Sequence, residues 1–241
     1  MIELIDWGLI DYNEAWNMQK ELVSKLQNRK KNQVKSDIDG FLVFCEHPSV
    51  ITMGKNTQEG NLVKSEQELN SLGISTIPVN RGGDVTLHNP GQIVGYPIID
   101  LSEYKEDLHW FLRTIEQTIA KVLEQYGIEA EGHEEYTGVW IEGERKICAI
   151  GLHCSRWITS HGFAFNIGND ISEFDYIVPC GIEDKAVTSL KNELMINSKS
   201  VANGTRIDNR DYLLKGSVYE SLKTEIAVIF KERMNEMKKS G

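Results

Sequence analysis

Three apolar segments that follow one another closely in the second half of the chain constrain its fold more than any other feature. They are Thr137–Ile141, Arg145–Cys154 and Trp157–Ile167, each separated from the next by a short connection. Their composition and spacing are typical of consecutive strands in hairpins. Parallel neighbours would need a crossover of a dozen or more residues, so these strands are expected to pair antiparallel.

The other periodic segments include both strands and helices. Asp11 and Glu14 form a capping-box pattern ahead of a helical spacing of apolar residues, and Gly127 closes a second strong helical pattern. The predicted strands are Gly40–Cys45, Val50–Met53, Ser75–Val79 and Tyr96–Leu101, and the predicted helices are Tyr12–Asn28, Ser65–Asn70, Leu108–Tyr126 and Asp211–Lys238. Strands outnumber helices and arrive mostly in hairpin-like runs. We therefore predict an α+β fold with a mixed, largely antiparallel sheet or sheets and flanking helices.

No shift in composition divides the chain, so a single domain over residues 1–241 is expected. The polar stretch 192–209 is interpreted as a surface excursion that precedes a C-terminal helix at 211–238.

Charge and hydropathy exclude several classes of partner. The formal net charge of −10 argues against a nucleic-acid binder, because phosphate contacts need a basic face. No segment reaches the roughly 18 apolar residues of a membrane span, and the first residues do not resemble a signal peptide. The four cysteines are widely spread, which fits reduced thiols, so a cytoplasmic protein without membrane attachment is expected.

Three short blocks contain residue types that suit covalent acyl transfer. They are the glycine-rich Arg81–Gln92, the apolar Lys146–His153 that opens with a lysine, and Val178–Ile182, where Cys180 lies between proline and glycine. A thiol nucleophile, a cation that favours the thiolate, and exposed peptide N–H groups are the parts that this chemistry needs. Because an ordinary cysteine has a pKa of about 8.5, a cation beside Cys180 would be needed to make the thiolate its main form.

Each block also has a purely structural interpretation. Taken alone, Cys180 could be a buried structural thiol, and Lys146 could be a strand-end lysine that extends to water. The double glycine after Arg81 could form an ordinary tight turn.

Other kinds of site find little support in the sequence. The glycine-rich block matches neither a phosphate-binding loop nor a dinucleotide-binding pattern. Cys148, His153, Cys154 and His161 match no zinc spacing, so no metal is expected, and there is no nucleophile elbow of a serine hydrolase.

Together the blocks resemble the lipoyl(octanoyl) transferases of lipoate biosynthesis, within the biotin/lipoate protein ligase-like superfamily. The resemblance runs from about Tyr12 to about Glu183 and is strongest in Arg81–Gln92, Lys146–Gly151, Ser160–Ala164 and Pro179–Gly181. It implies a fold like the catalytic domain of biotin and lipoate protein ligases. It also implies the first step of endogenous protein lipoylation, in which octanoyl-acyl carrier protein gives its octanoyl group, through a cysteine thioester, to a lysine of a lipoyl domain. The implied acceptors are lipoyl domains of 2-oxoacid dehydrogenase complexes and the glycine cleavage H protein, with no ATP, metal or other cofactor.

Carried over residue by residue, the resemblance makes Cys180 the acyl-thioester nucleophile and Lys146 the partner that lowers the cysteine's pKa. The residues that match the family's substrate-binding segments are Arg81, Gly82, Gly83, Asp84, Val85, Thr86, Leu87, His88, Ala149, Ile150, Gly151, Gly162, Phe163 and Ala164. The chain departs from the family pattern at Leu87, where an aromatic residue is usual, and at Asn89, where a glycine is usual.

Three other functions remain open at this point. An ATP-dependent lipoate-protein ligase of the same fold would form an acyl-adenylate, and an ATP-independence assay separates it from octanoyl transfer. An amidotransferase would take its acyl group from one lipoyl domain and give it to another, so donor preference identifies it. A non-catalytic lipoyl-domain-binding module would need neither Lys146 nor Cys180.

Overall fold

The computed structural model describes residues 1–58, 60–178, 185–200 and 216–238, with backbone alone at 198–200 and 216–217. Its strands are β1 (Ile2–Leu9), β2 (Gly40–Glu46), β3 (Val50–Met53), β4 (Ser75–Pro78), β5 (Val85–His88), β6 (Gln92–Ile99), β7 (Glu131–Gly132), β8 (Val139–Ile141), β9 (Arg145–Ser155), β10 (Ile158–Asn166) and β11 (Ala186–Val187). Its helices are α1 (Tyr12–Lys31), α2 (Glu66–Ser71), α3 (Leu108–Glu124), α4 (Leu190–Ser200) and α5 (Gly216–Glu236), with 3₁₀ turns at Leu101–Glu103 and Ile171–Tyr176.

The strands form two sheets. In the large sheet the order is β1-β2-β6-β10-β9-β8-β7, and β11 pairs with β9. Within it β1 runs parallel to β2 and β11 parallel to β9, whereas the other pairs are antiparallel. The small sheet has the order β4-β3-β5, with one parallel and one antiparallel pair. The predicted α+β fold with a mixed, largely antiparallel sheet is confirmed.

The two faces of the large sheet bury different sets of side chains. On one face, residues such as Phe44, Ile150 and Phe165 pack with α3 and α5 in the largest apolar cluster. On the other face, α1 covers a second cluster that includes Val43 and Val94. Helix α1 begins where Asp11 accepts hydrogen bonds from the backbone N–H groups of the first turn, as the sequence predicts.

Strand β1 and the start of β6 were not predicted. Most side chains of β1 are exposed, because it lies at the edge of the large sheet, so its sequence lacks a clear apolar alternation. The predicted strand began at Tyr96, but β6 already begins at Gln92. Gly95 lies inside this strand. Glycine is needed there because a Cβ would lie 2.1 Å from the ring of Phe163.

The predicted surface excursion at 192–209 begins inside α4. Leu190 and Glu193 of this helix are buried, so its first turn is packed against the rest of the protein. Residues 201–209 lie outside the described residues, as do the first five residues of the predicted helix at 211–238. Within the described ranges, no helix has the length and apolar character needed to cross a membrane.

Candidate active site

Two neighbouring cavities lie between the large sheet and the glycine-rich segment that leads into β5. The inner cavity has a volume of about 50 Å³ and is lined by Tyr12, Arg81, Gly83, Asp84, Val85, Thr86, His88, Val94, Tyr96, Thr137, Lys146, Ala149, Ile150, Gly151, His161, Gly162, Phe163 and Ala164. The outer cavity has a volume of about 430 Å³ and is lined by Asn56, Gln58, Gly82, Gly83, Asp84, Leu108, Leu112, Glu135, Tyr136, Thr137, Lys146, Ile150, Gly151 and Leu152. Lys146 lines both cavities, so it stands where they meet.

A β-bulge in β9 determines which way Lys146 faces. On the neighbouring strand, Val139 pairs with Cys148 and Trp140 pairs with Lys146, so Ile147 has no partner of its own. Regular alternation would put Lys146 on the same face as Cys148 and the core. The extra residue reverses this, and Lys146 lines the cavities together with the small residue Ala149.

The side chain of Lys146 is held closely. It is 6% exposed, and its Nζ lies 4.6 Å from the centroid of the Trp140 ring, within cation–π range. Gly138, with φ of +132°, packs beside it: a Cβ there would lie 3.5 Å from Lys146 Cε and 2.6 Å from the carbonyl oxygen of Cys148. A side chain at 138 would therefore collide with the backbone of β9 next to Lys146, and the positive φ also favours glycine there.

The glycine-rich segment is fixed directly on β9. The backbone N–H of Gly82 donates to the carbonyl oxygen of Leu152 at 2.8 Å. The Arg81 guanidinium donates to the carbonyl oxygen of Thr52 at 2.7 Å and to its hydroxyl at 3.0 Å. The close approach requires glycine at 151, where a Cβ would lie 2.9 Å from the carbonyl oxygen of Gly82 and 3.0 Å from Arg81 Cδ.

Replacing Gly151 with alanine should therefore displace the Arg81–Gly83 backbone. If the acyl transfer that the sequence resemblance implies takes place here, we expect its kcat/KM to fall about tenfold or more, since small displacements of positioning groups are costly. Overpacking should also lower the free energy of unfolding by about 1–3 kcal/mol. Gly82→Ala is the comparison, because its Cβ would meet a single atom at 3.2 Å. Steady-state kinetics and urea unfolding of both variants test this, and equal activity in the two variants would contradict it.

Histidine and tyrosine side chains form the far wall of the inner cavity. His161 lies between the Tyr12 hydroxyl, 3.5 Å from Nδ1, and Asn80 Oδ1, 2.7 Å from Nε2. The ring of Tyr12 stacks on that of His88 at 5.6 Å. His161 also has a left-handed backbone, with φ of +56°, a strained conformation that recurs at functional sites.

A chain of amides fixes the tautomer of His88. The Gln92 amide nitrogen donates to the carbonyl oxygen of Leu87 at 3.1 Å and to Asn166 Oδ1 at 2.9 Å, which leaves Gln92 Oε1 as an acceptor. This oxygen lies 2.8 Å from His88 Nδ1, so Nδ1 carries the proton. His88 Nε2 is then the unprotonated nitrogen.

Burial keeps these histidines neutral. It lowers the pKa of His88 to about 3, with a further contribution from nearby His47, and lowers that of His161 to about 3, assisted by the Arg81 charge. Burial also lowers the pKa of His47. An uncharged wall suits an apolar ligand better than a charged one.

The same shifts predict a loss of stability in mild acid. The pKa values of His88 and His161 in the folded protein lie below the unfolded value of about 6.5. Above pH 6.5 these histidines are neutral in both states, and the free energy of unfolding is not reduced by them. As the pH falls towards 3, the unfolded state binds protons that the folded state does not, and the free energy of unfolding decreases. Between pH 7 and pH 5, His88 and His161 should each remove about 2 kcal/mol from the free energy of unfolding. Urea unfolding at both pH values measures this. His88→Asn should lose less stability between pH 7 and pH 5 than the wild type, and an unchanged difference would contradict the assignment.

The comparisons with known proteins agree with this geometry. The family model of the lipoyl protein ligase A/B catalytic domain matches residues 11–204. The chain belongs to this family. It is 45% identical over 223 residues to an octanoyltransferase of Cytophaga hutchinsonii, covering 87% of this chain and 88% of that protein. It is 49% identical over 183 residues to an octanoyltransferase of Solibacter usitatus, covering 76% and 79%. The chain is thus an enzyme, an acyltransferase of the octanoyltransferase type.

Solved structures share the fold at low sequence identity. Lipoate-protein ligase A, in a structure bound with ATP, superposes with a TM-score of 0.57 at 13% identity, covering 97% of this chain and 93% of that one. LipL1 of P. falciparum, in complex with lipoate, superposes with a TM-score of 0.59 at 14% identity, covering 97% and 63%. The predicted resemblance to the lipoate protein ligase fold is confirmed.

Most residues that the sequence predicted for the acyltransferase site line the two cavities. Of the predicted substrate-binding residues, all but Gly82 and Leu87 line the inner cavity, and Gly82 lines the outer one. Leu87 is fully buried in a separate apolar cluster with Ile51 and Leu69. The predicted nucleophile Cys180, with Pro179 and Gly181, lies outside the described residues.

Other lining residues of this octanoyltransferase-type site were not predicted. His161 lies in the Ser160–Ala164 block that carried the resemblance, which was the one available signal. Tyr12, Tyr96, Asn56 and Tyr136 come from separate elements and follow ordinary helix, strand or loop patterns, so nothing in their local sequence marked them.

Asn89, where the family usually has glycine, has a structural role here. Its amide nitrogen donates to the carbonyl oxygen of Asp170 at 2.8 Å and to Glu173 at 2.9 Å. Its side-chain oxygen accepts from Asn169 at 2.8 Å. Asn89 therefore connects the end of β5 to the 3₁₀ turn at Ile171–Tyr176, and it lines neither cavity.

Proposed function

We propose that the chain transfers an octanoyl group from octanoyl-acyl carrier protein to a lysine of lipoyl domains, through an octanoyl-Cys180 thioester. The acceptors are the lipoyl domains of 2-oxoacid dehydrogenase complexes and the glycine cleavage H protein, in the cytoplasm. The observation that carries this proposal is the placement of Lys146. Its amine is held at the junction of two cavities by a bulge, in a family whose relatives are octanoyltransferases.

The described residues on either side of Cys180 support a meeting of its sulfur with Lys146. After Cys180, Val187 pairs with Lys146, and the Thr188 N–H donates to the Lys146 carbonyl oxygen at 2.9 Å. Before it, the Val178 N–H donates to the carbonyl oxygen of Asn61 at 2.9 Å. The Asn61 side chain in turn bonds to Asp84, which lines both cavities.

Covalent geometry adds a limit on distance. Cys180 is two residues beyond Val178, so their Cα atoms are at most about 7 Å apart. The described residue before Cys180, Val178, is therefore held near one wall of the cavities, and Val187 after it is paired with Lys146.

The proposed reaction has two balanced half-reactions. In the first, the Cys180 thiolate, stabilised by the Lys146 ammonium, attacks the thioester carbonyl carbon. The bond from that carbon to the carrier's sulfur breaks, and the carrier sulfur leaves as a thiol after taking a proton from Lys146. In the second, the lysine amine of the lipoyl domain attacks octanoyl-Cys180, the neutral Lys146 amine accepts its proton, and an amide and the Cys180 thiolate form. Conversion of a thioester to an amide has a favourable free energy, so the proposed reaction uses neither ATP nor a metal.

The inner cavity is the proposed site of the octanoyl chain. Its walls combine small residues such as Ala149 and Ala164 with the neutral histidines of the far wall. A volume of about 50 Å³ holds roughly four water molecules, which is less than eight carbons need. An octanoyl chain would therefore also extend into the adjoining outer cavity or displace lining side chains.

Intact-mass spectrometry tests the proposal. The purified protein is mixed with octanoyl-acyl carrier protein in the absence of ATP and metal, and then with an apo lipoyl domain. We expect one added octanoyl group, located on the Cys180 peptide, that disappears as the lipoyl domain gains it. Transfer that requires ATP and free octanoate would identify a ligase, and transfer solely from an octanoylated lipoyl domain would identify an amidotransferase.

A further inference from the structure

Glu116 carries a buried carboxyl group that the proposed reaction does not use. It lies in the middle of α3, is 1% exposed, and lines neither cavity. Acidic side chains are almost never fully buried unless they are paired. An ion pair in such a place often stabilises a fold no more than a well-packed apolar side chain would. A carboxyl group at this position therefore needs an explanation other than the stability of the core.

The two oxygens of the Glu116 carboxyl group hold the two ends of the 133–138 loop, which connects β7 to β8. Oε1 accepts the backbone N–H of Gly138 at 3.0 Å, where the loop ends. Oε2 accepts from Arg113 Nη1 at 2.6 Å. The same guanidinium nitrogen donates to the carbonyl oxygen of His133 at 3.2 Å, where the loop begins. One carboxyl group thus connects α3 to both ends of the loop.

The same loop forms much of the surroundings of Lys146. Thr137 lines both cavities together with the lysine. Gly138 lies beside the aliphatic part of the lysine, since a Cβ there would be 3.5 Å from Lys146 Cε. The carbonyl oxygen of Tyr136 accepts the indole N–H of Trp140 at 3.1 Å, and that indole ring lies 4.6 Å from Lys146 Nζ. A displacement of the loop would therefore move groups that contact the lysine side chain.

We infer that Glu116 is a positioning residue, which holds Gly138 and the 133–138 loop where they direct the Lys146 amine to the junction of the two cavities. Without the carboxyl group, the buried N–H of Gly138 would lack its acceptor, and the loop would have to move for that N–H to find another. The inference rests on the proposed function, because it takes the Lys146 amine to act on the Cys180 thiol.

Two substitutions separate the place of the acceptor oxygen from its charge. Glu116→Gln keeps an oxygen within reach of Gly138 and removes the charge, and the half-exposed Arg113 can then turn to solvent. Glu116→Asp keeps the charge and withdraws the oxygens by one carbon–carbon bond, about 1.5 Å. In single-turnover acylation by octanoyl-acyl carrier protein, we expect Glu116→Asp and Glu116→Ala to lower the rate about tenfold. Glu116→Gln should lower it less than about threefold, because the acceptor remains in place.

A double-mutant cycle with Lys146 distinguishes positioning from general stabilisation. The same substitutions are made in the Lys146→Met protein, which lacks the amine that Glu116 is inferred to position. In that background, Glu116→Asp and Glu116→Ala should lower the residual acylation rate less than about twofold. A residue that merely stabilised α3 would reduce the rate by the same factor in both backgrounds, because independent effects multiply.

Val122→Ala is the matched control on the same helix. Val122 is fully buried in the largest apolar cluster and lies six residues after Glu116, roughly 9 Å farther along the helix axis. Its truncation should lower the urea concentration at the midpoint of unfolding. The acylation rate should stay within about twofold of the wild type in both Lys146 backgrounds.

The outcomes separate this inference from the proposed function. Equal rate factors in the two Lys146 backgrounds would overturn the positioning role, as would a wild-type rate for Glu116→Asp together with a tenfold loss for Glu116→Gln. If Glu116→Ala does not fold, the aspartate and glutamine variants decide the result. A wild-type acylation rate in Lys146→Met, or no octanoyl adduct on the wild-type protein, would instead overturn the proposed function.

Discussion

Replacing Cys180 with alanine should abolish the octanoyl adduct and lower transfer to the lipoyl domain by about a thousandfold or more, as expected for loss of a covalent nucleophile. The physical reason is that none of the three described thiols is both accessible and part of the cavity lining beside Lys146. Cys45 and Cys148 are buried, and burial raises the pKa of each, which disfavours the reactive thiolate.

Cys154→Ala is the matched control for this prediction. Cys154 is half-buried in β9 and lines neither cavity, so its removal should leave the adduct and the rate unchanged. Both variants are mixed with octanoyl-acyl carrier protein and followed by intact mass and by gel-shift of the lipoyl domain. An adduct of wild-type yield on the Cys180→Ala protein would remove the nucleophile from the mechanism.

Replacing Lys146 with methionine should lower the rate of acylation by about a hundredfold to ten-thousandfold, the range found for proton-transfer groups. Methionine retains much of the aliphatic chain that packs near Gly138 and Trp140, so the fold should persist. Without the amine, Cys180 should titrate near the ordinary thiol value of about 8.5, and the residual rate should rise with pH up to that range.

Lys185→Met serves as the control, since Lys185 begins the described segment after Cys180 and its Nζ pairs with Glu144 at 2.6 Å. Its acylation rate should match that of the wild type. Stopped-flow or quenched acylation between pH 6 and pH 9 gives the rates and the pH profile. A Lys146→Met enzyme with a wild-type rate and profile would show that the amine has no part in ionising the thiol.

How far the sequence determines the site can be judged from single residues. Strands β8 to β10 were predicted within a few residues, because their apolar runs and short turns are local signals. The orientation of Lys146 was not, because it depends on a bulge whose position is set by pairing with β8. Leu87 was predicted to bind the substrate together with the rest of its block. The pairing of β5 with β3 instead directs its side chain into a separate apolar cluster.

The arrangement of the side chains that form the far wall of the inner cavity could not be derived from local patterns, although the family resemblance included His88. Tyr12, His88, Tyr96 and His161 belong to α1, β5, β6 and β10, and sequence periodicity contains no information on contacts between such distant segments. Their neutral state is likewise a result of burial in three dimensions.

The attachment of the chain on both sides of the Cys180 segment affects how the two substrates must arrive. Val178 is bonded to Asn61, and Val187 and Thr188 are bonded to β9, so a cysteine between these anchors has a short reach. If the proposed reaction is correct, both acyl transfers take place close to this anchored part of the chain. The donor and the acceptor would then each have to carry the reacting group to the same place.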